Sequence, residues 1–427
     1  MKHTRALTWV MLILVVLIAS FAAWAARPAI HPIEAPQASS FDPAVVARGA
    51  NLAAIGNCAA CHTARGGRLF AGGRALSTPF GIIYSTNITP DPISGIGTWS
   101  ERAFVRALQA GVDREGEHLY PAFPYDHFTK LSGDDARALY AYSMTREPVR
   151  ATTPENQLTF PLNLRELLVA WKAIYFRERR FQPDPRHDAA WNRGAYLVEG
   201  VGHCGACHTP RNALGAEKKK QALAGGEVEG WNAYALDRSS PAPVAWDVES
   251  LAFYLRQGWH ARHGISRGPM TDVTNSLADA RESDVRAIAT YVVSQMKAQT
   301  PPPARSAEAQ AEEPNQLGAT IYESACAACH DGARPLPYGG IDFSLSAAVN
   351  APNPRNIINV TLHGLHGADS ERAPIMPGFD GAISDEQLAA LLKYLRARFS
   401  DEAPWPDVAE DIEAAREALH EEGDSWP

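Results

Sequence analysis

The chain has no cysteine to spare for a structural disulfide, because all six lie in three short segments at 58–61, 204–207 and 326–329. Methionine is equally scarce, with six in 427 residues. There is no basic surplus: the formal net charge is −8, and no basic patch is interleaved with aromatics, so nothing recommends a nucleic-acid partner. No βαβ pattern surrounds a cysteine pair, which argues against a thioredoxin-like redox site. Charge is also missing from Ala6 to Ala25, an apolar run behind Lys2, His3 and Arg5.

What is present is one pattern used three times: Cys58-Ala-Ala-Cys61-His62, Cys204-Gly-Ala-Cys207-His208 and Cys326-Ala-Ala-Cys329-His330. C-x-x-C-H is the signature of covalent c-type haem attachment. Two thiols add to the two vinyl groups of one porphyrin, and the adjacent imidazole reaches the iron as proximal ligand. Zinc would want two such pairs brought together, and three pairs do not partition that way. The expectation is three covalently bound haem c groups. Cys58, Cys61, Cys204, Cys207, Cys326 and Cys329 would attach them, with His62, His208 and His330 on the irons.

A helix-like stretch precedes each motif, at Arg48-Gly-Ala-Asn-Leu52, Arg193-Gly-Ala-Tyr-Leu197 and Leu317-Gly-Ala-Thr-Ile-Tyr322. A terminal helix follows each, over 134–142, 284–291 and 385–394, with Ser132, Ser283 and Ser384 as caps and a capping box from Ser384 to Gln387. Apolar residues recur at three- and four-residue intervals in each, as amphipathic helices require. The predicted fold is all-α: three tandem cytochrome c domains behind an N-terminal signal or membrane-anchor helix. Its parts are the anchor (1–26), a Pro-rich linker (27–44), domain 1 (45–150), an apolar linker helix (151–187), domain 2 (188–297), a linker (298–314), domain 3 (315–400) and an acidic tail (401–427). The apolar run is nearer the ~20 residues of a bilayer span than the ~7–15 of a cleaved signal, which favours a retained anchor, although Ala22-Ala-Trp-Ala25 resembles a cleavage site. The segment 160–176 carries Arg165, Glu166 and Lys172 and is too polar to span; it reads as a helix packed across the first two domains, or as a membrane-surface or partner-binding helix. The tail holds ten acidic residues against Arg416, so the rest of the chain is close to neutral, and such a charge run reads as a solvated helix.

A thioether on the distal face of haem iron raises its potential. Met270, in Arg267-Gly-Pro-Met270, and Met376, in Ala373-Pro-Ile-Met-Pro-Gly-Phe379, occupy Pro/Gly turns before a terminal helix and are the expected axial ligands of the second and third haems. The first domain departs from this pattern. The His208-to-Met270 spacing, laid from His62, lands beside Phe123, which cannot bind iron. Four readings compete: His127 as a bis-His partner, His118, Met144 from the terminal helix, or a five-coordinate iron. His127 is favoured, since histidine is a normal haem ligand.

The triple motif, together with the segments Thr78-Pro-Phe-Gly-Ile-Ile-Tyr-Ser-Thr-Asn-Ile-Thr-Pro-Asp-Pro92 and Leu119-Tyr-Pro-Ala-Phe-Pro-Tyr125, resembles the triheme cytochrome c subunits of bacterial membrane-bound dehydrogenases over roughly residues 45–400. The resemblance implies an electron-transfer subunit rather than a catalytic one. Its partner would be a dehydrogenase of molybdenum/[2Fe-2S], FAD or PQQ type, and its acceptor ubiquinone or a terminal oxidase. Location on the periplasmic side of the inner membrane is also implied. Phe123 followed by Pro-Tyr-Asp-His127 is closer to the molybdenum-hydroxylase branch, whose members oxidise aldehydes or N-heterocycles, than to the alcohol branch. A rival of another class is a haem peroxidase using an open first iron.

Overall fold

In a computed structural model, the structure describes residues 27–296, 315–331, 340–365 and 376–421, with Trp9, Met11, Leu12 and Val16 of the N-terminal run. The expected linker 298–314, and Ala373 to Ile375 of the third-domain turn, lie outside the described residues. The chain divides into two compact units, Met1–Gln182 and Pro183–Pro427, the first with one C-x-x-C-H motif and the second with two.

In the first unit, helix Pro43–Ile55 opens with Asp42 as cap and proline at its first position, and pairs with helix Gly133–Met144, capped by Ser132. Gly49 marks their crossing: a Cβ there would lie 2.0 Å from the Ala138 carbonyl oxygen and 2.7 Å from Cβ of Tyr142. The second unit repeats this crossing twice. Gly194 of helix Ala189–Glu199 meets Ala287 and Tyr291 of helix Glu282–Met296, with the same 2.0 Å approach to the carbonyl. Gly318 of helix Gln316–Ile321 meets Ala390 and Tyr394 of helix Asp385–Phe399, at 2.4 Å. Ion pairs brace the first two crossings, Arg48 to Asp135 at 2.5 Å and Arg193 to Asp284 through two bonds of 2.8 and 3.1 Å. At the third, Leu317 replaces the arginine and the Asn315 amide donates to the Ala390 carbonyl instead.

The all-α expectation does not survive. A three-stranded antiparallel sheet joins Ala75–Thr78, Gly81–Tyr84 and Gln157–Leu158, in the register Leu76↔Ile83 and Gly81↔Leu158. Two-strand hairpins join Gly226–Val228 to Trp231–Ala233 and Trp259–His260 to Gly264–Ile265. The cause is local. The loops after the first two motifs turn back beside Gly81 and Gly230, and the extended arms satisfy their backbone groups by pairing. Ser283 is also not a cap: the helix begins at Glu282, and the Arg281 carbonyl accepts the first bonds. Ser384 caps its helix through the capping box with Gln387.

A membrane anchor is not shown either. Among the described residues no helix is long and apolar enough to cross a bilayer, and the anchor run lies almost wholly outside them. Helices Glu282–Met296 and Asp385–Phe399, at 15 residues each, fall short of the ~20 that a span needs.

The segment 151–187 belongs to the first unit through residue 182. Its helix Leu167–Tyr175 is pinned by Trp171 and Phe176 edge-on to buried Tyr125, at 6.5 and 5.1 Å between centroids. The acidic tail forms helix Val408–Glu421, and it is not simply solvated. Trp405, Val408 and Ile412 enter the core around Tyr322, Ile358 and Leu392, and Arg416 donates to Asp380, Asp385 and the Ile383 carbonyl.

Candidate haem sites

A single helical turn covers Cys58–Cys61, Gly205–His208 and Ala327–His330, with Cys204 the residue before the second turn and Cys326 the last of a π-helical turn that leads into the third, so the chain winds through each motif without a break. Each histidine is then fixed by the same device. Nδ1 of His62 lies 2.7 Å from the Thr86 carbonyl oxygen, that of His208 2.6 Å from Tyr234, and that of His330 2.8 Å from Ile341. A carbonyl only accepts, so Nδ1 carries the proton and Nε2 keeps its lone pair. Burial holds the pKa of all three below the ordinary imidazole value, against the opposing pull of that hydrogen bond. The result is a neutral, oriented imidazole, the form a metal requires.

The loops beyond the histidines hold the motifs. Gly72 donates to the His62 carbonyl at 2.8 Å and Gly225 to that of His208 at 2.9 Å. Arg74 reaches back to the Ala60 carbonyl and Arg211 to that of Ala206, at 2.9 and 2.8 Å. In the third motif Gly340 lies against the His330 ring, and Phe343 stacks on it with centroids 4.0 Å apart.

The six cysteines form no disulfide. Burial, reinforced by the neighbouring cysteine, pushes Cys58 and Cys204 up to about 12 and Cys326 up to about 11. These are thiols at neutral pH. A thioredoxin-type pair depresses its thiol, and burial here works in the opposite direction. Paired thiols beside a neutral imidazole with Nε2 available suit a covalently attached porphyrin.

The remaining candidates are placed as follows. Met270 is the half-buried second residue of helix Pro269–Ala278. Met376, also half-buried, exchanges hydrogen bonds of 2.8 and 3.1 Å with Leu365. In the third repeat Cys326, Phe343 and Phe379 pack on one core, which brings the motif and the methionine turn to the same cluster. His127 is buried in the one-turn helix Tyr125–Phe128, and Phe123 lies edge-on to Phe128 at 5.2 Å. His118 is engaged by Lys172 at 3.0 Å, and Met144 is core beside Ile96 and Tyr140. Sequence reasoning missed the three carbonyl acceptors, because any residue type supplies a carbonyl. It took Lys172 only as polarity that keeps 160–176 from spanning a membrane, whereas the residue is buried and its ammonium donates to the carbonyls of Ala110, at 2.9 Å, and Gly111, at 2.5 Å. A lone lysine inside an apolar run was the available signal.

Helical repeats, each carrying a C-x-x-C-H corner with its imidazole aimed, define a c-type cytochrome. Residues 313–395 match the family described as cytochrome c oxidase, cbb3-type, subunit III. Over 90% of the chain there is 44% identity to a nicotinate dehydrogenase subunit of Pseudomonas putida, and the chain spans only 33% of that longer protein. The gluconate 2-dehydrogenase cytochrome c subunit of Pantoea cypripedii is 36% identical, with 87% of this chain and 90% of that protein covered. The fructose dehydrogenase cytochrome subunit of Gluconobacter japonicus is 35% identical, over 87% and 82%. The chain belongs to the cytochrome c subunits of dehydrogenase complexes, which bind haem c covalently and carry electrons from a catalytic partner.

Proposed function

We propose that this chain carries three haem c groups, takes electrons from a molybdenum/[2Fe-2S] dehydrogenase acting on aldehydes or N-heterocycles, and relays them to ubiquinone or a terminal oxidase on the periplasmic side of the inner membrane. The observation that carries the haem count is the threefold repetition of one device, a motif histidine with Nδ1 on a backbone carbonyl. Support for the molybdenum partner is the 44% identity to the nicotinate dehydrogenase subunit, against 36% and 35% to the gluconate and fructose subunits. FAD or PQQ partners are the alternative.

Cys58 with Cys61, Cys204 with Cys207 and Cys326 with Cys329 would hold the porphyrins, and His62, His208 and His330 would supply the proximal nitrogen. Met270 and Met376 would supply thioethers to the second and third haems, and His127 a nitrogen to the first. Bound haem contributes a one-electron Fe(III)/Fe(II) carrier. The protein fixes each imidazole in one tautomer and orientation, so little rearrangement of these side chains would accompany the change of charge. Thioether ligation places the second and third sites above a bis-His first site in potential.

Mild-detergent purification from native membranes tests this reading. Pyridine haemochrome analysis is expected to give three haems per chain, and the co-purifying subunits to contain molybdenum and iron–sulfur. Fewer haems overturn the count, and flavin or PQQ in place of molybdenum moves the partner to the sugar or alcohol class. Met270→Leu and Met376→Leu are each expected to lower one midpoint potential in spectroelectrochemical titration and to reduce the far-red charge-transfer band of the oxidised protein.

A further inference from the structure

Within the second unit, the hairpin Gly226–Val228/Trp231–Ala233 is gripped by helix Arg355–His363. The Asn356 amide accepts from the Asn232 backbone N–H at 2.8 Å and donates to the Asn232 carbonyl at 2.9 Å, while Asn359 donates to the Gly230 carbonyl at 3.0 Å. A side-chain amide that satisfies both backbone groups of one residue fixes the hairpin in a single register. Just beyond the second strand, the Tyr234 carbonyl accepts from His208.

Trp231 is the side chain this register aims. Its indole lies on Gly268, where a Cβ would fall 2.7 Å from the ring; Gly268 has φ +58 and caps the helix that carries Met270. The same indole stacks with His363, centroids 6.5 Å apart and planes 28° from parallel. His363 ends its helix. The next residue, Gly364, has φ +72 and would place a Cβ 2.5 Å from the Met376 carbonyl oxygen, and Leu365 exchanges both backbone bonds with Met376. One run of contacts therefore joins the Met270 turn to the Met376 residue: the Trp231 indole lies on Gly268, the His363 ring stacks on that indole, and the backbone that follows His363 lies on Met376.

We propose that Trp231 and His363 are positioning residues that lock the two methionine-bearing turns to each other, so that axial ligation at the second and third irons is set jointly. This rests on the reading of Met270 and Met376 as haem ligands. The Trp231 ring packs directly on Gly268 and the His363 ring on Trp231, so loss of either ring opens a cavity beside the turns into which they relax.

The test uses the full chain with its haems attached. Met270→Leu and Met376→Leu first assign the far-red band of the oxidised protein to the two sites. If neither alters the band, the ligand reading falls and the proposal falls with it. With the assignment standing, Trp231→Ala and His363→Ala are each expected to weaken the band and shift the midpoint potential at both sites. Trp231→Phe should retain both signals, and the double variant should fall short of the sum of the single effects. Effects confined to one site, or strict additivity, overturn the proposal. Far-UV circular dichroism and Tm separate these changes from misfolding, and if Trp231→Ala does not fold, the cross-site effect of His363→Ala with Trp231→Phe decides the matter.

Discussion

Lys172, with 6% of its surface exposed, sets an ammonium inside the first unit, where charge is costly to bury. Burial, with Arg27 adding repulsion, brings the pKa of Lys172 down to about 7, although its ammonium bonds the carbonyls of Ala110 and Gly111 and lies 4.5 Å above the Tyr125 ring. Unfolded lysine titrates near ~10.4, so between about pH 7 and that value the unfolded chain binds more protons at this site and folding stability rises with pH. Below about pH 7 both states are charged and the full penalty applies. The gap in Tm between wild type and Lys172→Met is expected to move in favour of wild type from pH 7 to 10, and a flat gap would show that the ammonium is not penalised. The haem-binding chemistry was legible at this scale because C-x-x-C-H is local, and spacing within five residues survives any tertiary arrangement. The partners of the histidines were not legible. Thr86 and Tyr234 lie far along the chain from His62 and His208, and contribute only a carbonyl.

At the scale of elements, the repeated helix crossing makes the sharpest demand on sequence. Gly49, Gly194 and Gly318 are the residues at which two backbones touch. Gly194→Ala is expected to cost about 1–3 kcal/mol by overpacking, read as a lowered Tm, and stability equal to wild type would refute the contact. The helices themselves were readable, since periodicity and the serine caps at 132 and 384 are short-range signals. The strands were not. They run two to four residues each, and one of them, Gln157–Leu158, pairs with Gly81 and Ile82 from a distant part of the chain. The helix starting at Glu282 overran its expected cap because Ser283 and Asp284 both take helical positions, leaving Asp284 to face Arg193.

At the scale of the whole molecule, charge counting misjudged the tail. The tail counts ten carboxylates in its sequence, while Trp405, with 6% exposure, donates its indole N–H to the Ala351 carbonyl at 2.8 Å and carries the Arg396 guanidinium 4.5 Å over its ring. Trp405→Ala is expected to cost about 3–5 kcal/mol, seen as a separate, lower-melting transition that leaves the spectrum of the first haem unchanged; a single unshifted transition would place the tail outside the core. This closure also orders events during biogenesis. Residues 405–412 leave the ribosome after Cys326, Cys329 and His330, so the third core lacks part of its wall while its thiols are already available. A chain cut short before Trp405 would keep all three C-x-x-C-H motifs and still leave the third core unwalled, so the end of the sequence is a folding requirement of a motif that lies well before it.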